Sequence, residues 1–124
     1  YFLIGMNESG TDNTTPAINN FKTMINKLKK KNKNVQIVLL PIAPTGKRST
    51  ANVPKKSQRL KFYKAYSDLA AATDNVYYYD YTGLIDDGKG YLKSSCDGGD
   101  GCHWTSTATI NFSKSLMDWS KNNL

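Results

Sequence analysis

The segment CDGGDGCHW, residues 96–104, holds both cysteines of the chain, two aspartates and its one histidine. Two residues separate Asp100 from His103, and glycines flank the aspartate. A neutral imidazole can take a proton from a nucleophile when a carboxylate holds its other ring nitrogen. In a glycine-rich turn this spacing lets the carboxylate fold back onto the ring. Asp100 and His103 are therefore a candidate general base with its orienting acid. The spacing alone is not specific, and a lone histidine ahead of a helix is also an ordinary surface residue.

A second candidate lies at the other end of the chain, in GMNES, residues 5–9. A strand running into Gly-x-Asn brings an amide side chain to the rim of a sheet. The amide of Asn7 could donate to a developing oxyanion, and one such donor is worth roughly 3 kcal/mol in a transition state. The other reading of Asn7 is a turn residue bonded to its own backbone.

Cys96 and Cys102 have five residues between them, among glycines that would let a tight loop close. We expect a disulfide here, worth about 2 kcal/mol in the chain-entropy picture. Such a bridge fits an oxidising compartment, so the expected location is secreted or at a bacterial cell surface. Two reduced thiols are the alternative. Asp97, Asp100, Cys102 and His103 could also be read as mixed zinc ligands, but crowding and the expected bridge argue against a metal. TGKRS, residues 45–49, lacks the earlier glycine of a phosphate-binding loop. No cofactor is implied. Asn-x-Ser/Thr triplets occur at Asn7, Asn13 and Asn111.

The elements that must position these groups follow from hydrophobic periodicity. YFLIG (1–5) reads as a buried strand. Thr15 and Pro16 start a helix to about Lys31, with Ile18, Phe21, Met24, Ile25 and Leu28 on one face. VQIVLLPIAP (35–44) is almost wholly apolar, as in a strand covered on both faces. A second helix spans about Lys55 to Ala72, with Leu60, Phe62, Tyr63, Tyr66, Leu69 and Ala70 as its apolar positions. NVYYYDYTGLI (75–85) reads as a third strand, and Thr105 to Asn122 as a closing helix with Ala108, Phe112, Leu116 and Trp119 on one face. Alternation of this kind predicts a parallel α/β sheet. Ligands then bind beyond the carboxyl ends of the strands, near Asn7, Glu8, Thr45 to Thr50, Asp80, Asp86 and Asp87. Three strands make a thin sheet, and three helices barely cover one face, so we expect part of a larger domain to lie outside this sequence.

The chain has 124 residues, 39% of them hydrophobic and 22% charged, which suits one globular domain. No apolar run reaches the roughly 18 residues of a membrane span. The net charge of +7 raises the question of an anionic partner. The lysines are dispersed, the one dense run (KLKKKNK, 27–33) ends a helix, and the only arginines are Arg48 and Arg59. No basic and aromatic strip of the nucleic-acid-binding type is present, and no nucleic-acid partner is expected.

Taken together, FLIGMNE and DGCHWT make the chain resemble the C-terminal part of an SGNH (GDSL-type) hydrolase. In that family a strand ends in Gly-x-Asn-Asp, whose asparagine is an oxyanion donor; Gly5 and Asn7 match, with Glu8 in place of the aspartate. An Asp-x-x-His motif before the last helix supplies two members of a Ser-His-Asp triad; Asp100 and His103 match. The resemblance implies a three-layer α/β/α, flavodoxin-like parallel sheet, here an incomplete portion holding the third to fifth strands. It implies an acyl- or acetyl-esterase acting on a small ester, a lipid or an acylated carbohydrate. The family's nucleophile, in a Gly-Asp-Ser motif, has no match: no Gly-Asp-Ser occurs, and Ser9 follows the wrong strand. The serine is therefore expected on an N-terminal segment of the same protein, and the present chain by itself is expected to be inactive. A bridge between Cys96 and Cys102 would stiffen the loop that carries the dyad. Trp104 could wall a substrate pocket, though core packing suits its ring better. The alternative to catalysis is a glycan- or anion-binding domain of the same fold.

Overall fold

The structure is a computed structural model that describes residues 1–3, 10–47 and 54–124. Asn7, Gly5, Glu8, Ser9, Arg48 and Thr50 lie outside the described residues. The elements in chain order are α1 (Thr15–Lys31), β1 (Ile37–Leu39), α2 (Lys56–Ala71), β2 (Val76–Tyr78), α3 (Thr82–Ile85), a 3-10 turn (Ser94–Cys96) and α4 (Ser106–Asn123).

β1 and β2 pair in parallel, with Ile37 opposite Val76 and Leu39 opposite Tyr78. On the other side of β1, Phe2 forms a parallel bridge to Leu39. Its N–H donates to Val38 O at 2.9 Å and its carbonyl accepts from Leu40 N at 3.0 Å. β1 is thus central, and the expected first strand is represented among the described residues by this single bridge.

The two later strands are shorter than their apolar runs suggest. After Leu40 the chain stays buried through Thr45, but Pro41 and Pro44 have no N–H to offer a ladder. The freed carbonyls take side-chain donors instead. Tyr81 Oη donates to Pro41 O at 2.9 Å, and Tyr63 Oη donates to Ile42 O. The segment read as a strand over 75–85 leaves the sheet after Tyr78. Asp80 Oδ1 accepts from Thr82 N at 2.9 Å, which starts the short helix α3.

Side chains alternate across the strands. Ile37 and Leu39 pack with Phe21 and Ile25 of α1, Phe62, Tyr66 and Leu69 of α2, and Val76. Val38 and Leu40 face the opposite way, onto Tyr81, Ile85 and Leu92, with Trp104, Phe112, Leu116 and Trp119 packed behind them. Helices therefore cover both faces of the sheet, α1 and α2 on one and α4 on the other. This corrects the expectation that they would barely cover one.

The helix boundaries follow their sequence signals. α1 has proline in its first turn and Lys29, Lys30 and Lys31 in its last, where cations favour the dipole. Gln58 Oε1 accepts from Lys55 N at 2.9 Å at the start of α2, and Thr105 caps α4 through Ala108 N. Two apolar positions of the predicted faces point outward: Leu28 and Leu60 are among the exposed large hydrophobics. No helix among the described residues is long and apolar enough to cross a membrane.

Candidate functional site

Residues 96–105 form a tight hairpin. Asp97 bridges Trp104 in antiparallel fashion, Thr105 N donates to Cys96 O at 2.9 Å, and Gly98 N donates to His103 O at 2.7 Å. Trp104 anchors the hairpin to the fold, with ring centroids 5.6 Å from Tyr81 and 5.5 Å from Phe112. The ring thus packs on the core, and it also walls a cleft beside His103.

Cys96 packs behind the cluster of Tyr81, Ile85 and Leu92, whereas Cys102 lies at the hairpin tip, beside His103. Cys96 and Cys102 are both free thiols, which corrects the expected bridge. The argument for an oxidising, extracellular compartment loses that support.

The tip of the hairpin is organised by two carboxylates. Asp97 Oδ1 accepts from Gly99 N at 2.8 Å and Gly101 N at 2.9 Å. Asp100 Oδ1 accepts from Cys102 N and His103 N, each at 2.8 Å. The other oxygen of Asp100 reaches the ring of its neighbour, with His103 Nδ1 to Asp100 Oδ2 at 2.5 Å. The fold-back expected from the spacing is thus realised. The carboxylate that receives these N–H groups is held well below the usual carboxylate range, first by the imidazole and then by the backbone donors of His103 and Cys102. The same contact raises the imidazole above its ordinary value, because the anion favours the charged ring. Nδ1 is committed to Asp100, which leaves Nε2 as the nitrogen that can meet a substrate.

Both side chains are open to solvent, His103 at 85% and Asp100 at 55%. Next to them lies a cleft of about 390 Å³ lined by Leu3, Ile42, Ala43, His103, Trp104 and Thr109, with Cys102 beside His103. Leu3 and Ala43 follow the ends of their strand segments, so the cleft opens at the carboxyl rim of the sheet, where ligands of parallel α/β folds bind. Among the described residues its walls are mainly apolar, with the imidazole and Thr109, whose hydroxyl donates to Thr105 O, as polar members.

Of the other polar candidates, Asp80, Asp86 and Asp87 bond to nearby backbone N–H groups. Asp80 caps α3. Asp86 Oδ1 accepts from Gly88 N at 2.7 Å, and Asp87 Oδ1 accepts from Lys89 N at 2.8 Å. Those backbone donors hold the Asp87 carboxyl below its ordinary value. Among the described residues no three His, Cys, Asp or Glu side chains gather as a metal ion requires.

Sequence reasoning missed the cleft walls Leu3, Ile42, Ala43 and Thr109, because they meet only in three dimensions. It also missed the part played by Asp97. The repeated Asp-Gly of CDGGDG was the available signal, since aspartate followed by glycine favours turns in which the side chain takes the N–H two residues on.

The GDSL-like Lipase/Acylhydrolase family matches residues 1–108, a span that includes the Asp100–His103 pair. A solved structure from Streptococcus pneumonia, described as a candidate platelet activating factor, is similar at 28% identity and a TM-score of 0.85. The match covers 94% of this chain and 56% of that one, so the chain spans a little over half the length of this relative. Comparison with curated proteins gave no match. The family model covers well over half of the chain and the chain has a parallel α/β core: it belongs to the GDSL-like Lipase/Acylhydrolase family.

Proposed function

We propose that this chain supplies the general base, its orienting carboxylate and an oxyanion donor to a serine hydrolase that cleaves acyl or acetyl esters. The single observation that carries the reading is the placement of the Asp100–His103 pair. His103 lines an apolar cleft together with Leu3, which lies four residues before Asn7 in the chain. The nucleophile is a serine outside these 124 residues, since the sequence contains no Gly-Asp-Ser. The sheet is accordingly part of a larger flavodoxin-like one, with the present strands as its third to fifth.

In this reading the serine oxygen attacks the ester carbonyl while His103 Nε2 accepts its proton. Asp100 holds Nδ1 and stabilises the imidazolium. The oxyanion receives the amide of Asn7. The tetrahedral intermediate collapses, the carbonyl–alkoxy bond breaks, and the imidazolium returns its proton to the leaving alcohol. Water repeats the sequence on the acyl-enzyme and regenerates the serine. The apolar walls of the cleft suit the acyl part of a lipid or of an acylated carbohydrate.

The test is hydrolysis of p-nitrophenyl acetate by the protein with its N-terminal segment. His103→Ala should cost at least about 10³-fold in rate, as loss of a triad member does, and the 124-residue chain alone should be inactive. An unchanged rate in that variant would overturn the reading and favour a non-catalytic glycan- or anion-binding domain.

A further inference from the structure

The imidazole and carboxylate of the dyad are largely solvent-exposed, so packing around the ring does not fix where it points. Their orientation has to come from the backbone of the turn. Gly101, midway between Asp100 and Cys102, is buried although the residues around it are not. Its φ is +75°, a conformation that glycine adopts freely and other residues rarely do. Both of its polar groups are held. Its N–H donates to Asp97 Oδ1 at 2.9 Å, and its carbonyl accepts from Gly46 N at 2.7 Å. Gly46 follows the buried run that leaves β1, so this hydrogen bond ties the tip of the hairpin to the rim of the sheet. The approach is close: a Cβ at Gly46 would stand 2.9 Å from Gly101 Cα and 3.4 Å from Asp97 Oδ2.

We propose that Asp97, Gly46 and Gly101 form a clamp that sets the angle of the Asp100–His103 pair over the cleft, and that Asp97 and Gly46 are positioning residues for the hydrolase. The proposal rests on the reading of that pair as the catalytic base. Asp97 fixes the peptide between Asp100 and Gly101 through its N–H, and Gly46 fixes the next one, between Gly101 and Cys102, through its carbonyl. The Asp100 carboxylate can then meet two N–H groups and the ring at once. Release of the Gly101 peptide lets Asp100 swing away from His103. A misplacement of about 1 Å at a reacting group can cost on the order of 10²-fold in rate, so an exposed dyad needs such bracing.

The chain has one histidine, so NMR titration of its ring gives an unambiguous readout on the chain itself. Asp100→Asn should lower the His103 midpoint toward the ordinary histidine value, which tests the pair separately. Asp97→Ala and Gly46→Ala should each lower it by at least half of that drop. Asp97→Asn keeps the Oδ1 acceptor and should titrate like the wild type. Folded Asp97→Ala and Gly46→Ala variants with a wild-type midpoint would overturn the clamp while leaving the dyad standing. A wild-type midpoint in Asp100→Asn would sink the dyad itself, and the clamp with it. If one clamp variant fails to fold by circular dichroism, the other decides. If both fail, amide exchange in the wild type decides: slowed exchange at Gly99 and Gly101 supports the clamp, and exchange at the free-peptide rate overturns it.

Discussion

Asp100 holds His103 in two ways at once, with one carboxylate oxygen on the ring nitrogen Nδ1 at 2.5 Å and the other on the backbone N–H of the same residue at 2.8 Å. The side chain of one residue thus fixes both the ring and the main chain of the other.

The pH dependence of this pair follows from its two shifts. Asp100 is held below its ordinary value, so its share of stability is present above that value and fades as pH falls toward the depressed one. His103 is held above its ordinary value, so its share is complete below 6.5 and is lost as pH rises through the raised midpoint. Thermal melts should therefore show the hairpin's contribution greatest in mildly acidic solution, and His103→Gln should flatten the decline on the alkaline side. For catalysis the sign reverses, because only the neutral ring is a base. The acidic limb of the rate profile should have its midpoint above 6.5 and move down in Asp100→Asn.

The free thiols lead to a simple measurement. A bridge worth about 2 kcal/mol would be lost on reduction and lower the Tm by several degrees. We expect the same Tm with and without dithiothreitol, and two thiols per chain titratable with a thiol reagent after denaturation without reductant.

Arg59 is 4% exposed and joins two distant carbonyls, with Nη1 on Pro54 O at 2.9 Å and Nη2 on Gly90 O at 2.5 Å. A lysine ammonium is a point donor and cannot span both as the planar guanidinium does. Arg59→Lys should cost about 1–3 kcal/mol in denaturant unfolding, the penalty of a buried acceptor left without a donor. A loss indistinguishable from zero would show that the two carbonyls find other donors.

Trp104 joins the site hairpin to the aromatic cluster of Tyr81 and Phe112. Trp104→Ala should destabilise by roughly 2–3 kcal/mol, below the range for a fully buried aromatic because this residue is half-buried. Trp104→Phe should recover most of the loss. Chemical denaturation of the two variants measures both outcomes.

How much could be read in advance depends on the range of the interactions. The fold-back of Asp100 onto His103 is legible because both residues lie in one short turn, where spacing and glycine content decide the geometry. The helices α1, α2 and α4 are legible for the same reason: caps, proline and the 3.6-residue period act locally. The strand limits are not. The run from 35 to 44 is apolar but for Gln36, yet its ladder ends at Leu39, because where N–H groups stop pairing depends on neighbours elsewhere in the chain. The state of the cysteines is not legible either, because closeness in sequence does not say that one side chain packs on the core and the other borders the cleft.

The sequence by itself determined the helices, the parallel α/β order, the carboxylate-braced imidazole and the resemblance to the hydrolase family, since each rests on residues close together or on a recurring motif. Only the tertiary structure decided that helices cover both faces of the sheet, that Leu3, Ile42 and Thr109 meet beside His103, and that Gly46 touches Gly101. Those contacts join segments more than 30 residues apart, and their geometry is fixed by sheet pairing and core packing, which no local pattern encodes.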